Sequence, residues 1–364
     1  MRQSITLRQK AYYFFTLVVT TAIFVYLFSH VSLREVANLI KRIDGKTFFL
    51  FIAISLTGTA FRTLRYRLLL RTTGKSSGFL ALYLVTLVRN LFSDLLPARI
   101  GSLVYVYIVN TRLGIPFGSA VSSFALAFIF DIISLALLII IITLIASTTV
   151  ISPVVIIISG IVLGGLSVII LYKMPIIFRF IGKIINRFTL IPATRRAVWQ
   201  NALNSIAKGV NQTYEAGVYF QILLVSLCVR LCKYISLYVL LLALVYQFDM
   251  GIEQFPFSKV FLGLCTAEFS ASLPISGIAG FGAYEGAWAL VFQLLGYSKK
   301  IAILTSISHH LVTQIFGYSL GAIALLLLLL PYFNRNNRTN DKNNQHKNKS
   351  QEAVEASPSN LPQS

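Results

Sequence analysis

ASLPISGIAGFGAYEGAW, from Ala271 to Trp288, is the stretch that decides how this chain folds. Apolar runs flank it on both sides, yet inside it Pro274 is followed by Gly277, Gly280, Gly282 and Gly286. A carboxylate, Glu285, stands among these glycines. Proline removes a helical N–H and glycine loosens the backbone, so a helix stops here. Broken backbone at membrane depth is tolerated only inside protein or beside a watery cavity. The stretch therefore predicts two half-helices meeting at an interior break, with a charge beside it.

Composition sets the frame around that break. Of 364 residues, 56% are hydrophobic and only 12% are charged, against about 25% charged in a soluble domain. Several apolar runs reach the roughly 17–25 residues that cross a bilayer, and the short alternating strands of a β-barrel are missing from the pattern. The class is all-α: a polytopic integral membrane protein. The formal net charge of +20 comes from Lys and Arg gathered in loops and tails, as in cytoplasmic segments. Nucleic acid is not an expected partner. Cys228, Cys232 and Cys265 lie in apolar spans with neither disulfide nor zinc spacing. No metal and no cofactor are expected.

The pattern predicts about six full spans, near 11–29, 47–70, 117–146, 154–172, 218–246 and 301–330. Residues 1–10 form a cytoplasmic N-terminus, 11–330 a single membrane domain, and 331–364 a disordered, basic cytoplasmic tail. The segment 173–217 is a basic cytoplasmic loop. In its first part Arg179, Lys183 and Arg187 recur every four residues opposite Ile and Phe, the pattern of a helix lying in the membrane interface or of an amphipathic connector.

Two segments do not fit a single crossing, 79–114 and 257–297. With both termini cytoplasmic, the first enters and leaves from inside and the second from outside. Each is a broken hairpin, re-entrant or a helix pair. LLPARIG (Leu95–Gly101) in the first aligns with SLPISGIAGFG (Ser272–Gly282) in the second. Each is followed by an apolar half-helix and a Leu-Gly pair, Leu113-Gly114 and Leu295-Gly296. Similar units of opposite orientation form an inverted repeat, and interrupted helices in such repeats point to a transport site near the midplane. Pro97, Gly101, Pro274, Gly277, Gly280, Gly282 and Gly286 are the expected hinge positions.

Charges at depth are expensive and face a cavity or a partner. The substrate-binding candidates are Arg62, Arg65, Arg89, Asn90, Arg99, Asp131, Arg230, Lys233, Glu268, Glu285 and His309, with Asp94 and His310 beside them in sequence. Arginine presents a planar fork matched to phosphate oxygens, and half-helix N-termini after Pro97 and Pro274 offer N–H groups to an anion. The ligand these residues suit is anionic, phosphate-bearing and amphipathic.

RTLRYRLLL (Arg62–Leu70), Asn90 with LPARIG (Leu96–Gly101), RLCKYISLYVLLLAL (Arg230–Leu244), and Leu273, Pro274, Gly280, Gly282, Glu285 and Gly286 together resemble the membrane domain of the lysylphosphatidylglycerol synthase/flippase family. Asp131 stands at that family's acidic position after the first hairpin. The resemblance implies a flippase-like protein of the plasma membrane. Its departures are Ser102 where the family often has Glu, Tyr105 where it often has Arg, Ala127 and Phe128 in place of a Glu-Arg pair, and His309 or His310 in place of an Arg. The soluble aminoacyl-transferase part of the bifunctional relatives is not seen in this sequence, so lysyl transfer is not expected and the chain is not expected to be an enzyme.

Three functions remain open on the sequence. The first is translocation of an anionic phospholipid or lipid-linked sugar phosphate between leaflets, with membrane lipids as partners and without direct ATP use, as no nucleotide-binding motif is present. The second is a membrane subunit that anchors or regulates an envelope glycosyltransferase or lipid-modifying enzyme. The third is an intramembrane lipid-phosphate enzyme, which lacks a metal or paired-acid motif.

Overall fold

The computed structural model describes residues 25–75, 77–96, 101–145, 152–187, 192–273 and 280–330. Among them helices are the only regular structure. They are α1 (Leu33–Lys41), α2 (Gly45–Thr72), α3 (Phe79–Leu95), α4 (Val104–Thr111), α5 (Phe117–Ile145) and α6 (Pro153–Arg187). After these come α7 (Ala193–Glu215), α8 (Tyr219–Val245), α9 (Phe257–Ala271), α10 (Ala283–Leu294) and α11 (Lys299–Leu329). Five of them, α2, α5, α6, α8 and α11, are long and apolar enough to cross a membrane. The first expected span lies largely outside the described residues, as does the C-terminal tail.

Local chemistry sets where these helices start. Ser32 and Glu35 form a reciprocal capping box at the head of α1, satisfying two of the N–H groups a helix start leaves free. Asp44 caps α2 by accepting from the Thr47 N–H at 2.8 Å. Among the side chains α6 leaves uncovered are Val154, Ile158, Ile161, Val162 and Ile169, an apolar surface suited to lipid.

The basic stripe after Tyr172 is a correction to the sequence reading. It is not a separate interface helix: α6 runs unbroken through it for 35 residues, with Pro175 inside. Proline's fixed φ is compatible with helix and the ring removes one backbone bond, and the apolar Ile/Phe series on either side keeps the rod continuous. The rest of the expected loop is α7, so most of 173–217 is helical.

Among the described residues α3 packs against α4, and α9 against α10. At 1.5 Å per residue α3, α4, α9 and α10 measure about 26, 12, 22 and 18 Å, each short of the roughly 30 Å hydrocarbon core. The ends of each pair come close together. A Cβ on Gly101 would collide with the backbone of Phe92, and one on Gly280 would touch Ala271. Both contacts close over nine residues, 101 minus 92 and 280 minus 271. The repeat continues downstream. Gly114 and Gly296 both take positive φ, at 64° and 93°. The next long helix starts three residues later in each case, at 117 and 299.

Two apolar clusters seat the hairpins. Leu82, Val85, Val88, Tyr105 and Val109 of the first pack with Leu126 and Phe130 of α5. Phe261, Leu264, Trp288 and Phe292 of the second pack with Tyr234 and Leu241 of α8. Helices α2 and α8 lie side by side. The polar residues that neither cluster absorbs gather among α2, α3, α8 and α11.

Candidate functional site

The site begins with four cations. Helix α2 carries Arg62 and Arg65, and α8 carries Arg230 and Lys233, each pair three residues apart (65 minus 62, 233 minus 230). That spacing places each pair on one side of its helix. Because α2 and α8 pack together, all four heads come to the interior.

Arg65 is 1% exposed, and its two terminal nitrogens are engaged. Its Nη1 donates to Asp131 Oδ1 at 2.8 Å and its Nη2 to Asp131 Oδ2 at 3.1 Å, a bidentate fork from α2 to α5. Nη1 also donates to Ser226 Oγ at 3.0 Å. Arg230 Nε approaches Asp131 Oδ1 at 3.4 Å without hydrogen-bond alignment. One carboxylate thus answers two guanidinium groups.

Arg62 and Arg89 are different. Both donate to the same amide oxygen, Asn90 Oδ1, at 2.8 and 3.2 Å. Arg89 Nη2 also reaches Ser102 Oγ at 3.4 Å, and Ser102 Oγ donates to Ser93 Oγ at 2.8 Å across the first break. Among the described residues, no carboxylate forms an ion pair with Arg62 or Arg89. The Nε atoms of Arg62, Arg89 and Arg230, like that of Arg65, have no hydrogen-bond partner there.

These groups face a chamber of about 200 Å³. Arg62, Arg89, Asn90, Asp94, Asp131, Arg230 and Lys233 line it, with Thr313 of α11 opposite. A second chamber of about 140 Å³ adjoins it and shares Ser93, Asp94, Lys233, Leu237 and Thr313 as walls. The second is completed by Glu268, Gly280, Tyr284, His310 and Gln314. Here the lysine has a counter-charge. Lys233 pairs with Glu268, whose Oε2 also accepts from Tyr234 at 3.1 Å. Glu285, with no exposed surface, accepts the Gly282 N–H at 2.8 Å and lies 2.5 Å from His310 Nδ1.

Of the sequence candidates, Arg62, Arg89, Asn90, Asp131, Arg230 and Lys233 meet at the first chamber, and Lys233 and Glu268 at the second. Glu285 stands behind the second through His310. Arg65 stands behind Asp131. His309 is set in the core: its Nε2 meets the Leu237 carbonyl at 2.9 Å, its Nδ1 meets Tyr284 Oη at 3.3 Å, and its ring lies against Trp288. Its neighbour His310 faces the chamber instead. Gly101, Gly280 and Gly282 lie at the breaks, and Gly286 in the first turn of α10. Arg99, Pro97, Pro274 and Gly277 lie outside the described residues. Sequence reasoning missed Ser93, Thr313, Gln314 and Tyr284. The helical spacing His310, Thr313, Gln314 was the available signal, because positions three and four apart share a face.

A third cavity, about 1020 Å³ and mostly apolar, lies apart from these chambers between α5, α6 and α7. Among the described residues no three His, Cys, Asp or Glu side chains group as metal ligands.

The fold and the two chambers define a polytopic α-helical membrane protein with a charged interior between two broken hairpins. The chain matches the family described as the lysylphosphatidylglycerol synthase TM region over residues 13–321, and it belongs to that family. The family is a membrane domain linked to lipid handling. No curated protein matches the chain.

Proposed function

We propose that this protein moves an anionic, phosphate-bearing lipid between the leaflets of the cell membrane, with both chain termini cytoplasmic and without direct use of ATP. One observation carries the reading: Arg62 and Arg89 converge on Asn90, carry no carboxylate in ion-pair contact among the described residues, and face a polar chamber. Buried cations ordinarily have a counter-charge, and a phosphate offers the oxygens to complete these donors. Asp131 is engaged by Arg65 and Arg230 and holds the frame, leaving Arg62 and Arg89 for cargo. The headgroup would enter the chamber while its acyl chains stay in lipid. Membership of a lipid-handling membrane family agrees with this.

The test is reconstitution of purified protein in vesicles carrying fluorescent phosphatidylglycerol in one arm and a fluorescent lipid-linked sugar phosphate in another. Inner-leaflet probe should become accessible to an impermeant quencher faster than in protein-free vesicles. Arg62→Ala/Arg89→Ala protein should match the protein-free rate. Equal rates for wild type and empty vesicles with both probes would reject translocation and favour the membrane-subunit reading.

A further inference from the structure

The Glu285–His310 pair is not needed to hold an anion at Arg62 and Arg89, yet it is deeply buried, with His310 on the wall of the second chamber and Glu285 behind it. Glu285 has no exposed surface and His310 is 4% exposed. The pair joins the second break to the last span. Glu285 Oε2 accepts from the N–H of Gly282, the residue that starts α10 at φ 87°. His310 lies on α11 with Phe281 and Tyr284 against its ring, at centroid distances of 4.5 and 4.3 Å.

The other ring nitrogen carries the argument. Gln314 Nε2 stands 2.8 Å from His310 Nε2. An amide NH₂ donates, so Nε2 is the acceptor and Nδ1–H donates to Glu285. This is neutral imidazole beside a carboxylate, a buried pair with net charge −1. Adding one proton puts N–H on Nε2 as well. Two donors then face each other, and Gln314 must turn its amide or withdraw. The proton changes the pair from −1 to 0 and moves a side chain in the wall of the second chamber.

We infer that Glu285 and His310 form a proton-binding site that fills and empties with the anion in the adjoining chamber. The inference rests on the anion-translocation reading and adds its coupling ion. The two chambers share five wall residues, so a negative headgroup between Arg62 and Arg89 favours the protonated pair. Linkage makes the effect mutual: the proton favours the anion by the same factor. Imidazole is the side chain whose ordinary titration falls between pH 5 and 8. The other charged or titratable groups facing His310 are Tyr284 on α10, His309 on α11, Glu268 on α9 with its partner Lys233 on α8, and Asp94 on α3. Lys233 and Glu268 pair with each other, and among the described residues Glu285 is the charge in direct contact with the ring. Because Glu285 also holds the Gly282 N–H, the proton bears on the hinge as well as on the wall.

The experiment is a nitrogen NMR titration of the full chain with labelled imidazole, in nanodiscs of uncharged lipid. The His310 signals are those lost in His310→Asn. Nε2 should change from acceptor to donor as the pH is lowered. Glu285→Gln should lower the midpoint by about one unit, a tenfold loss of proton affinity. Inorganic phosphate added to wild-type protein should raise it. A ring fixed in one tautomer across the titration, or a midpoint that Glu285→Gln leaves unmoved, would overturn the proton site. A midpoint indifferent to phosphate would overturn the coupling. The phosphate arm needs wild-type protein only, so a misfolded variant leaves it readable. In vesicles, an imposed proton gradient should accelerate phosphatidylglycerol movement by wild type. Movement indifferent to the gradient rejects the inference and leaves translocation standing. No movement in wild type rejects translocation, while the NMR titration still decides the proton site.

Discussion

At the first break, two guanidinium groups share one asparagine oxygen and meet no carboxylate among the described residues. At the second, a carboxylate is held between a backbone N–H and an imidazole, and the nearby lysine has its own glutamate. The two hairpins close over the same nine residues and hand on to a long helix after the same glycine turn. Shared backbone with unequal charge divides the labour. The first chamber is left electrically unfinished and suits a cargo anion. The second pairs its lysine internally and keeps a carboxylate beside an imidazole, which suits a switch.

Emptying the first chamber of its free charge should give the largest effect. Each charge-assisted bond contributes about 1.5–3 kcal/mol, so Arg62→Ala/Arg89→Ala removes about 3–6 kcal/mol of anion binding. Lipid movement should fall at least about a hundredfold, while the apparent unfolding temperature changes little. Unchanged movement would place the cargo elsewhere.

Asp131→Asn tests the frame rather than the cargo. It leaves Arg65 buried without its counter-charge, at a cost of about 3–5 kcal/mol. The apparent unfolding temperature in nanodiscs should drop sharply. Arg65→Met/Asp131→Leu should recover most of it, since apolar replacement of a whole buried pair is often neutral. A stable Asp131→Asn protein would mean that Arg65 finds another partner.

Ser102→Glu makes the first chamber more like the second. Ser102 Oγ lies 3.4 Å from Arg89 Nη2, so a carboxylate there would neutralise Arg89 from within. Lipid movement should fall about tenfold, or about 1.4 kcal/mol, with the fold retained. A faster variant would show that Arg89 does not face the cargo.

The breaks were legible because their causes are local: Pro and Gly act on their own backbone, and apolar run length alone finds the spans. The pairing of charges was not. Arg62 and Arg65 differ by about 60° around α2, and only the positions of α5 and α3 decide that Arg65 is spent on Asp131 while Arg62 stays open. His309 and His310 differ by about 100°, so the phase of α11 against α10, unreadable from one strand of sequence, decides which ring faces the chamber. Pro175 shows the opposite case. Its local rule says helices end, and the continuous apolar series around it overrode that rule.

A third pair carries the comparison to the surface, where burial no longer helps. Glu35 on α1 meets Lys300, at the start of the helix that carries His310, at 2.5 Å, and accepts the Ser32 N–H at 2.8 Å. Its bond with Lys300, then those with Ser32, lower its pKa from 4.5 to about 2. A carboxylate with a depressed folded-state pKa stabilises fully above the unfolded value and loses that contribution as pH falls through the folded value. The unfolding-temperature gap between wild type and Glu35→Gln should therefore be small but constant above about pH 4.5. It should close between there and about pH 2. Salt should shrink it, because an exposed pair is screened, whereas the chamber phenotypes should resist salt. A gap that persists below pH 2, or one that salt leaves untouched, would mean that Glu35 acts through packing or its uncharged cap contacts. The contrast between exposed and enclosed charge would then fail at this pair.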